Sequence, residues 1–503
     1  MENTTQITKI SYLKNLNKIN LNSTINLAID NNANIKTILN IDSYLFDQKV
    51  ECGNGKAIIS GKLGVKVLYV DTDNFTNTVS ETTNFSETIV DQTITSETKM
   101  NILNSTILNN ILSADNILKI NCEIVIYPTT YLNLGLNNQN ETSEMLVCKK
   151  KEIQTNTISN FVNTEFNYTT NIETKDVINK ILCNSNYFSA EKVFADNGFA
   201  VVEGKIMTTL VYETQKDDEV VIKEIKEISN IKCDIEIPEL SKENLLDLTF
   251  VIDKSKEDIS TEIEDNLSIL ILKHSIKVCG AIMQNIAIEV VDDAFCTTNE
   301  LKTTAISRDF SKGVENFAVC ETVSNEISLT KDETAIDELI ANMSIEPEII
   351  NTYIKNDLLY VEGIVTSNMS YVDENKEFKS KTIQVPFGIN TKINVNNLNF
   401  CHSNISVEDS KIKIKRGTII ETEYCLFISI TLCNKEQHEI IDNFSIGKPI
   451  IYGDFDYQIF IAKQNETMWD LCKRIKITPN EITKYNKDLP AVCNGGEKVI
   501  IKR

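Results

Sequence analysis

The sequence predicts a multidomain, mainly β (α+β) protein, with three repeated β-rich units followed by one small βααβ domain. Three observations carry this expectation. At 503 residues the chain is too long for a single domain. A strand pattern running from glycine to tyrosine occurs three times along it. Its last fifty residues differ from the rest in charge and in periodicity.

The repeated pattern reads Gly61-Lys62-Leu63-Gly64-Val65-Lys66-Val67-Leu68-Tyr69, returns from Gly204 to Tyr212, and returns again from Gly363 to Tyr371. A separation of eight is even, so in a strand the glycine and the tyrosine lie on one face. That face also carries Leu63, Val65 and Val67, then Ile206, Thr208 and Leu210, then Val365, Ser367 and Met369. The leading glycine predicts a bulge or the close approach of another backbone. Twenty-three residues before each glycine stands an isoleucine, Ile38, Ile181 or Ile340. The segments Thr174 to Cys183 and Thr334 to Met343 read as helices, which gives each unit a short early helix. Sixteen residues after each tyrosine come Phe85, Ile228 and Phe387. The intervening polar stretches (Asp71-Thr72-Asp73-Asn74, Gln215-Lys216-Asp217-Asp218 and Asp373-Glu374-Asn375-Lys376) read as hairpin turns. Strand-like alternation closes each unit, at Ile120 to Tyr127, Ile269 to Val278 and Thr422 to Thr431. Glycines 143 and 159 residues apart make each unit a domain, placed at residues 1–150, 151–300 and 301–450.

The tail, residues 455–503, carries nine Lys/Arg against six Asp/Glu, while the whole chain has a net charge of -22. Tyr457 to Ile461 alternates as a strand. Thr467 then caps a helix bearing Met468, Leu471, Cys472 and Ile475 at helical spacing. Thr478-Pro479-Asn480-Glu481 opens a second helix with proline in its first turn. Asn494-Gly495-Gly496 turns the chain into a last strand at Lys498 to Ile501.

This order resembles a LysM domain. Thr467, Met468, Leu471, Cys472, Asn486, Gly496, Val499 and Ile501 fall on that family's positions. Asn465-Glu466 stands where the family has glycine–aspartate, in the loop bordering its groove for N-acetylglucosamine-containing glycans. The repeated units are similar to the SPOCS domain (formerly DUF3794) of sporulating Firmicutes, the first unit being the weakest copy. Tandem SPOCS-like units followed by a LysM domain resemble the clostridial spore-coat morphogenetic proteins. The resemblance implies a non-enzymatic scaffold of coat assembly. It implies a protein of the mother-cell cytosol, recruited to the forespore surface, with the coat's basement-layer ATPase as partner. The alternative is a peptidoglycan-binding protein that tethers the scaffold to cortex or cell wall.

Composition and motifs set limits on other functions. A net charge of -22 opposes binding to nucleic acid or to anionic bilayers. The start Met1-Glu2-Asn3-Thr4-Thr5 lacks a signal-peptide pattern, and no apolar run is long enough for membrane insertion. Thirteen cysteines lie singly without a CxxC pair, so buried, reduced thiols are expected. His274, His402 and His438 have no ligand-like neighbours, and the adjacent Cys401-His402 has the wrong spacing, so no metal is expected. Gly53-Asn54-Gly55-Lys56 reads as a tight turn and not as a phosphate loop, and no nucleotide or other cofactor is expected. Enzyme signatures are absent. The acidic run Asp217 to Asp265 reads as a solvated face. The candidate contact site is the LysM groove: Asn465, Glu466, Thr467, Met468 and Trp469 at the entrance to the first helix, with Asp488, Leu489 and Pro490 on the facing loop. Trp469, the sole tryptophan, stands between two roles, packing in the tail's core or anchoring a partner.

Overall fold

The computed structural model describes residues 6–15, 18–28, 35–103, 105–114, 117–138, 145–216, 219–264, 267–393, 398–453 and 456–502. The start Met1 to Thr5, the turn residues Asp217 and Asp218, the end of the acidic run at Asp265, and Phe455 and Arg503 lie outside the described residues. The chain is mostly strand. A first set comprises β1 (Gln6–Asn15), β2 (Ile19–Ala28), β3 (Ile35–Gly53), β4 (Lys56–Asp71), β5 (Thr76–Val90), β6 (Lys99–Asn101), β7 (Ser105–Ala114), β8 (Ile117–Ile126) and β9 (Thr129–Asn138). A second comprises β10 (Leu146–Thr174), β11 (Ile178–Asp196), β12 (Phe199–Lys216), β13 (Glu219–Glu236), β14 (Leu245–Ile252), β15 (Asp258–Glu264) and β16 (Leu267–Cys296). A third comprises β17 (Asn299–Ser328), β18 (Ile336–Lys355), β19 (Leu358–Asp373), β20 (Phe378–Lys392), β21 (Leu398–Lys415) and β22 (Ile419–Pro449). The tail is β23 (Tyr457–Ile461), α1 (Met468–Ile475), α2 (Pro479–Tyr485) and β24 (Lys498–Lys502).

The second and third sets each build two antiparallel sheets, and the first builds three. One is a meander, β3-β4-β5, β11-β12-β13 or β18-β19-β20. The other joins the first strand of the set to its last and next-to-last, as in β17-β22-β21 and in β10-β16-β14 with β15 also on β16. In the first set this sheet is divided into β1-β9-β6 and β2-β8-β7. Alternation then buries one face of each sheet against the other. In the third set Val365 and Met369 of β19 pack with Tyr424, Leu426 and Ile428 of β22. In the first, Leu63, Val65 and Val67 of β4 pack with Leu118, Ile120 and Ile124 of β8. Full burial of a side chain of this size contributes roughly 1.5–3 kcal/mol, so each two-sheet core can hold its own set together.

The glycine–tyrosine strands are the middle strands β4, β12 and β19, and their nine inward residues are all buried. Each glycine faces a β-bulge in the preceding strand, with register shifts at Phe46/Lys49, Ala190/Lys192 and Ile349/Asn351. A Cβ at Gly204 would strike the Ser189 carbonyl oxygen, and one at Gly363 would strike the Glu348 carbonyl oxygen. At Gly61 it would stand 2.9 Å from the Phe85 ring. Two of the hairpins close alike: Asp71 accepts the Asp73 and Phe75 N–H groups, and Asp373 accepts those of Asn375 and Glu377. The Gly53–Lys56 segment is the tight turn between β3 and β4, with Gly55 at φ 74°.

Two expectations need correction. Thr174 to Cys183 and Thr334 to Met343 contain no helix; their ordered cores begin β11 and β18. Bulges at Ile178/Lys180 and Ile181/Cys183, and at Ile336/Glu338 and Leu339/Ala341, add residues to the two-residue alternation and imitate a helical period. Likewise the offset of sixteen after the tyrosine does not place Ile228 in the register of Phe85 and Phe387: Gly204 pairs with Ile231, because the β12–β13 hairpin is three residues longer than the others. Gly61 and Gly363 do face Phe85 and Phe387.

These bulges also connect the sets. Ile38, Ile181 and Leu339 pair with Tyr69, Tyr212 and Tyr371, and the next residues, Leu39, Leu182 and Ile340, are the bulged ones. All three enter one shared cluster with Leu68, Val70, Cys183, Val211 and Met343. Beside it Lys254 of the second set donates to Asp42 of the first at 2.7 Å. The three sets therefore share a core assembled from equivalent positions.

Candidate partner-docking site

In the tail, β23 and β24 pair antiparallel and the two helices lie between them in sequence. Thr467 accepts the Asp470 N–H and Asp470 accepts the Thr467 N–H, a reciprocal cap that starts α1; Thr478 and Glu481 repeat it on α2. Lys476 at φ 59° ends α1. Leu471, Cys472, Ile475, Ile477, Ile482, Cys493, Val499 and Ile501 form the core. Asn486 closes α2 onto β24, accepting the Ile500 N–H at 2.8 Å and donating to the Ile500 carbonyl at 2.7 Å.

Apart from Trp469, the expected site residues divide into three groups. Asn465 (φ 60°), Thr467 and Asp488 are exposed. The loop that holds the first two is tied to residues 491–493 by backbone bonds from Asn465 to Cys493, Cys493 to Glu466 and Met468 to Ala491. Met468 and Leu489 are half-buried against the tail core, and Pro490 is half-buried beside Leu489. Glu466 is turned inward: its carboxylate accepts Arg474 Nε at 2.6 Å, Arg474 Nη2 at 2.9 Å and the Lys463 N–H at 2.8 Å. The Arg474 bond holds the Glu466 carboxyl below its ordinary range despite burial.

Trp469 packs against the tail's core, one of its two expected roles, and also reaches the end of β16. Its indole N–H donates to Asp293 Oδ2 at 2.8 Å, and its ring meets Phe295 edge-on with centroids 5.2 Å apart. Lys473, one turn on, reaches both Asp293 oxygens at 2.7 Å. Lys476 stands over the Phe295 ring at 5.7 Å. Phe295 and Val147 thereby join the tail's own hydrophobic cluster. The chain leading into the tail is held to the same place by Tyr452, whose hydroxyl donates to the Thr297 carbonyl at 2.5 Å. Sequence reasoning misses Asp293 and Phe295 because they lie about 175 residues upstream, at the end of β16. Their one local sign is Asp292-Asp293 directly ahead of an inward Phe295.

With α1 turned toward the body, the two-stranded sheet gathers most of the tail's exposed apolar residues, with Tyr485 and Val492 exposed elsewhere. Tyr457, Ile459 and Ile461 are 60%, 63% and 52% exposed, and Ile500 is 41% exposed. Cross-strand register sets Tyr457 opposite Lys502, Ile459 opposite Ile500, and Ile461 opposite Lys498. An apolar centre is thus rimmed by ammonium groups, and the Lys502 Nζ sits 5.8 Å from the Tyr457 ring.

The fold also gathers groups that no sequence offset marks: Cys320, Glu408 and Cys425 converge on the β17-β22-β21 sheet of the third set. Among the described residues twelve cysteines are free thiols, and no helix is long and apolar enough to cross a membrane.

No curated protein and no solved structure matches the chain. A family model described as SipL, SPOCS domain, matches residues 34–111. That span takes in β3 to β6 and most of β7, and so includes Gly61, Tyr69 and the bulge at Phe46/Lys49. The first glycine–tyrosine strand and its surroundings are therefore similar to the SPOCS domain of SipL.

Proposed function

We propose that this chain is a non-enzymatic assembly protein of the spore coat, with a body of three SPOCS-like copies and a LysM-like tail that docks a protein partner. The SPOCS match points to a sporulation-related, coat-associated role. Recurrence of the meander, the glycine and the bulge in three sets supports the reading of three copies. The βααβ order and the Asn486 bonds support the LysM-like reading of the tail.

The observation that carries the docking role is the exposed Tyr457–Ile459–Ile461–Ile500 face with its lysine rim. An apolar centre within a polar rim is the anatomy of a protein interface. The basic rim on a chain of net charge -22 selects an acidic surface on the partner. We take that partner to be the coat's basement-layer ATPase. The test compares the full chain with an Ile459→Glu/Ile500→Glu variant in pull-downs from sporulating cells and in sedimentation with purified peptidoglycan. The variant should lose the ATPase while melting as the parent does. Loss of about 2 kcal/mol of binding is the expectation for residues at the centre of an interface. Retention of the ATPase by the variant, or co-sedimentation of the parent with peptidoglycan and no capture of the ATPase, overturns the reading.

A further inference from the structure

We propose that Cys320, Cys425 and Glu408 form a binding site for a thiophilic divalent cation of the zinc class. The three come from adjacent strands of one sheet, in the order β17-β22-β21. Thr322 faces Cys425 and Cys320 faces Phe427, so the two cysteines are diagonal neighbours on the same face of β17 and β22. Glu408 reaches that face because it is the extra residue of a bulge between Val407 and Asp409, which otherwise pair with Leu426 and Cys425. A bulge of this kind re-aims one side chain.

The ligand atoms already have the spacing of a tetrahedron. Cys320 Sγ lies 3.4 Å from Cys425 Sγ and 3.4 Å from Glu408 Oε2, and Cys425 Sγ lies 4.0 Å from the same oxygen. Zinc–sulfur bonds of roughly 2.3 Å and zinc–oxygen bonds of roughly 2.1 Å, at tetrahedral angles, require S···S and S···O edges of about 3.7 and about 3.5 Å. Each edge needs to move by half an ångström or less. Cys320 is exposed, so a water can complete the fourth position.

The supporting groups are those of a built site. Glu408 is 4% exposed, and its other oxygen accepts the Ser189 hydroxyl at 2.9 Å. That bond fixes the carboxylate from the second set, as partners behind metal ligands do. Lys205 Nζ lies 3.5 Å from Glu408 Oε2 and also pairs with Glu191. It is the cation now beside Glu408, and a metal would release it to Glu191. Burial, the Cys425 thiol and the Glu408 carboxylate together push the Cys320 thiol up to about 12.

Binding forms two metal–sulfur bonds and one metal–oxygen bond and releases the two thiol protons to solvent. No electrons are exchanged, and affinity must rise with pH.

Cobalt(II) is the probe, because a thiolate-bound cobalt ion shows a sulfur-to-metal charge-transfer band. The full chain, reduced and stripped with chelator, is titrated with cobalt and then with zinc. One thiolate-bound cobalt per chain is expected, displaced by zinc. The band should vanish in Cys320→Ser/Cys425→Ser and in the single Cys320→Ser, whose exposed position leaves the fold intact. Ser189→Ala should weaken zinc binding by roughly 10-fold. Absence of a charge-transfer band in the folded parent, or an equal band in the double variant, overturns the proposal.

Discussion

Replacing Asp293 with alanine is expected to release the tail from the end of β16. The substitution removes the acceptor of the Trp469 N–H and the carboxylate between Trp469 and Lys473. A hydrogen bond to a charged acceptor contributes roughly 1.5–3 kcal/mol. The Lys473 and Asp293 side chains are 43% and 27% exposed, so their ion pair adds only about 0.2–1 kcal/mol. The combined loss is about 1.7–4 kcal/mol, which lowers the docked-to-free ratio roughly 20- to 900-fold. The edge-on contact of Trp469 with Phe295 and the burial of Val147 are untouched, so only these polar contacts are probed. Trp469 is the sole tryptophan, and its emission reports docking without a label. Asp293→Ala should shift that emission to the red and speed hydrogen exchange across residues 468–475. The pH dependence follows from the same carboxylate. Burial alone would raise its pKa, but the Lys473 ammonium and the Trp469 and Ala294 N–H groups bring it below the ordinary range. A depressed folded-state pKa means the contribution is complete above the ordinary value of roughly 4 and is lost as pH falls through the lower folded value. The parent should therefore undock in acid, and Asp293→Ala should show no such transition. Unchanged emission and exchange in the variant would show that these contacts do not hold the tail.

Three further outcomes are expected. Glu466→Ala should destabilise the tail by about 2 kcal/mol, because the Lys463 N–H and Arg474 lose their acceptor; a melt followed by tryptophan emission reads it, and an unchanged melt refutes the inward role. Gly363→Ala should cost roughly 1–3 kcal/mol or more, since its Cβ meets the Glu348 carbonyl and lies 2.5 Å from the Phe387 ring, whereas Gly388→Ala has open space and should be close to neutral; denaturant unfolding of both separates steric clash from strand propensity. Lys254→Ala should cost about 3–5 kcal/mol of body stability, because it strands Asp42 where the two side chains are 15% and 11% exposed; a loss below 1 kcal/mol would place that pair effectively in solvent.

Much of this fold was legible in the chain. Glycine at 61, 204 and 363 signals that another backbone or ring stands where a Cβ would be, and alternation from each glycine to its tyrosine shows which face is inward. In the tail, Thr467 and Thr478 cap their helices through bonds that span three residues, so the sequence alone specifies where α1 and α2 start. The same holds for the tight turn at Gly55 and for the polar turn after Asp71.

Tertiary structure decided the rest, because the deciding partners lie far off in sequence. Whether Thr174 to Cys183 was helix or strand depended on pairing with β12, and bulges in β11 disguise a strand's period. Trp469 was open between core and contact because its partners, Asp293 and Phe295, belong to a strand about 175 residues away. Cys320 and Cys425 are 105 residues apart and meet only because β17 and β22 pair, while Glu408 joins them only through the bulge in β21. Local hydrogen bonds and side-chain periodicity are encoded within a few residues and can be read there; contacts closed by long loops are chosen by packing of the whole body.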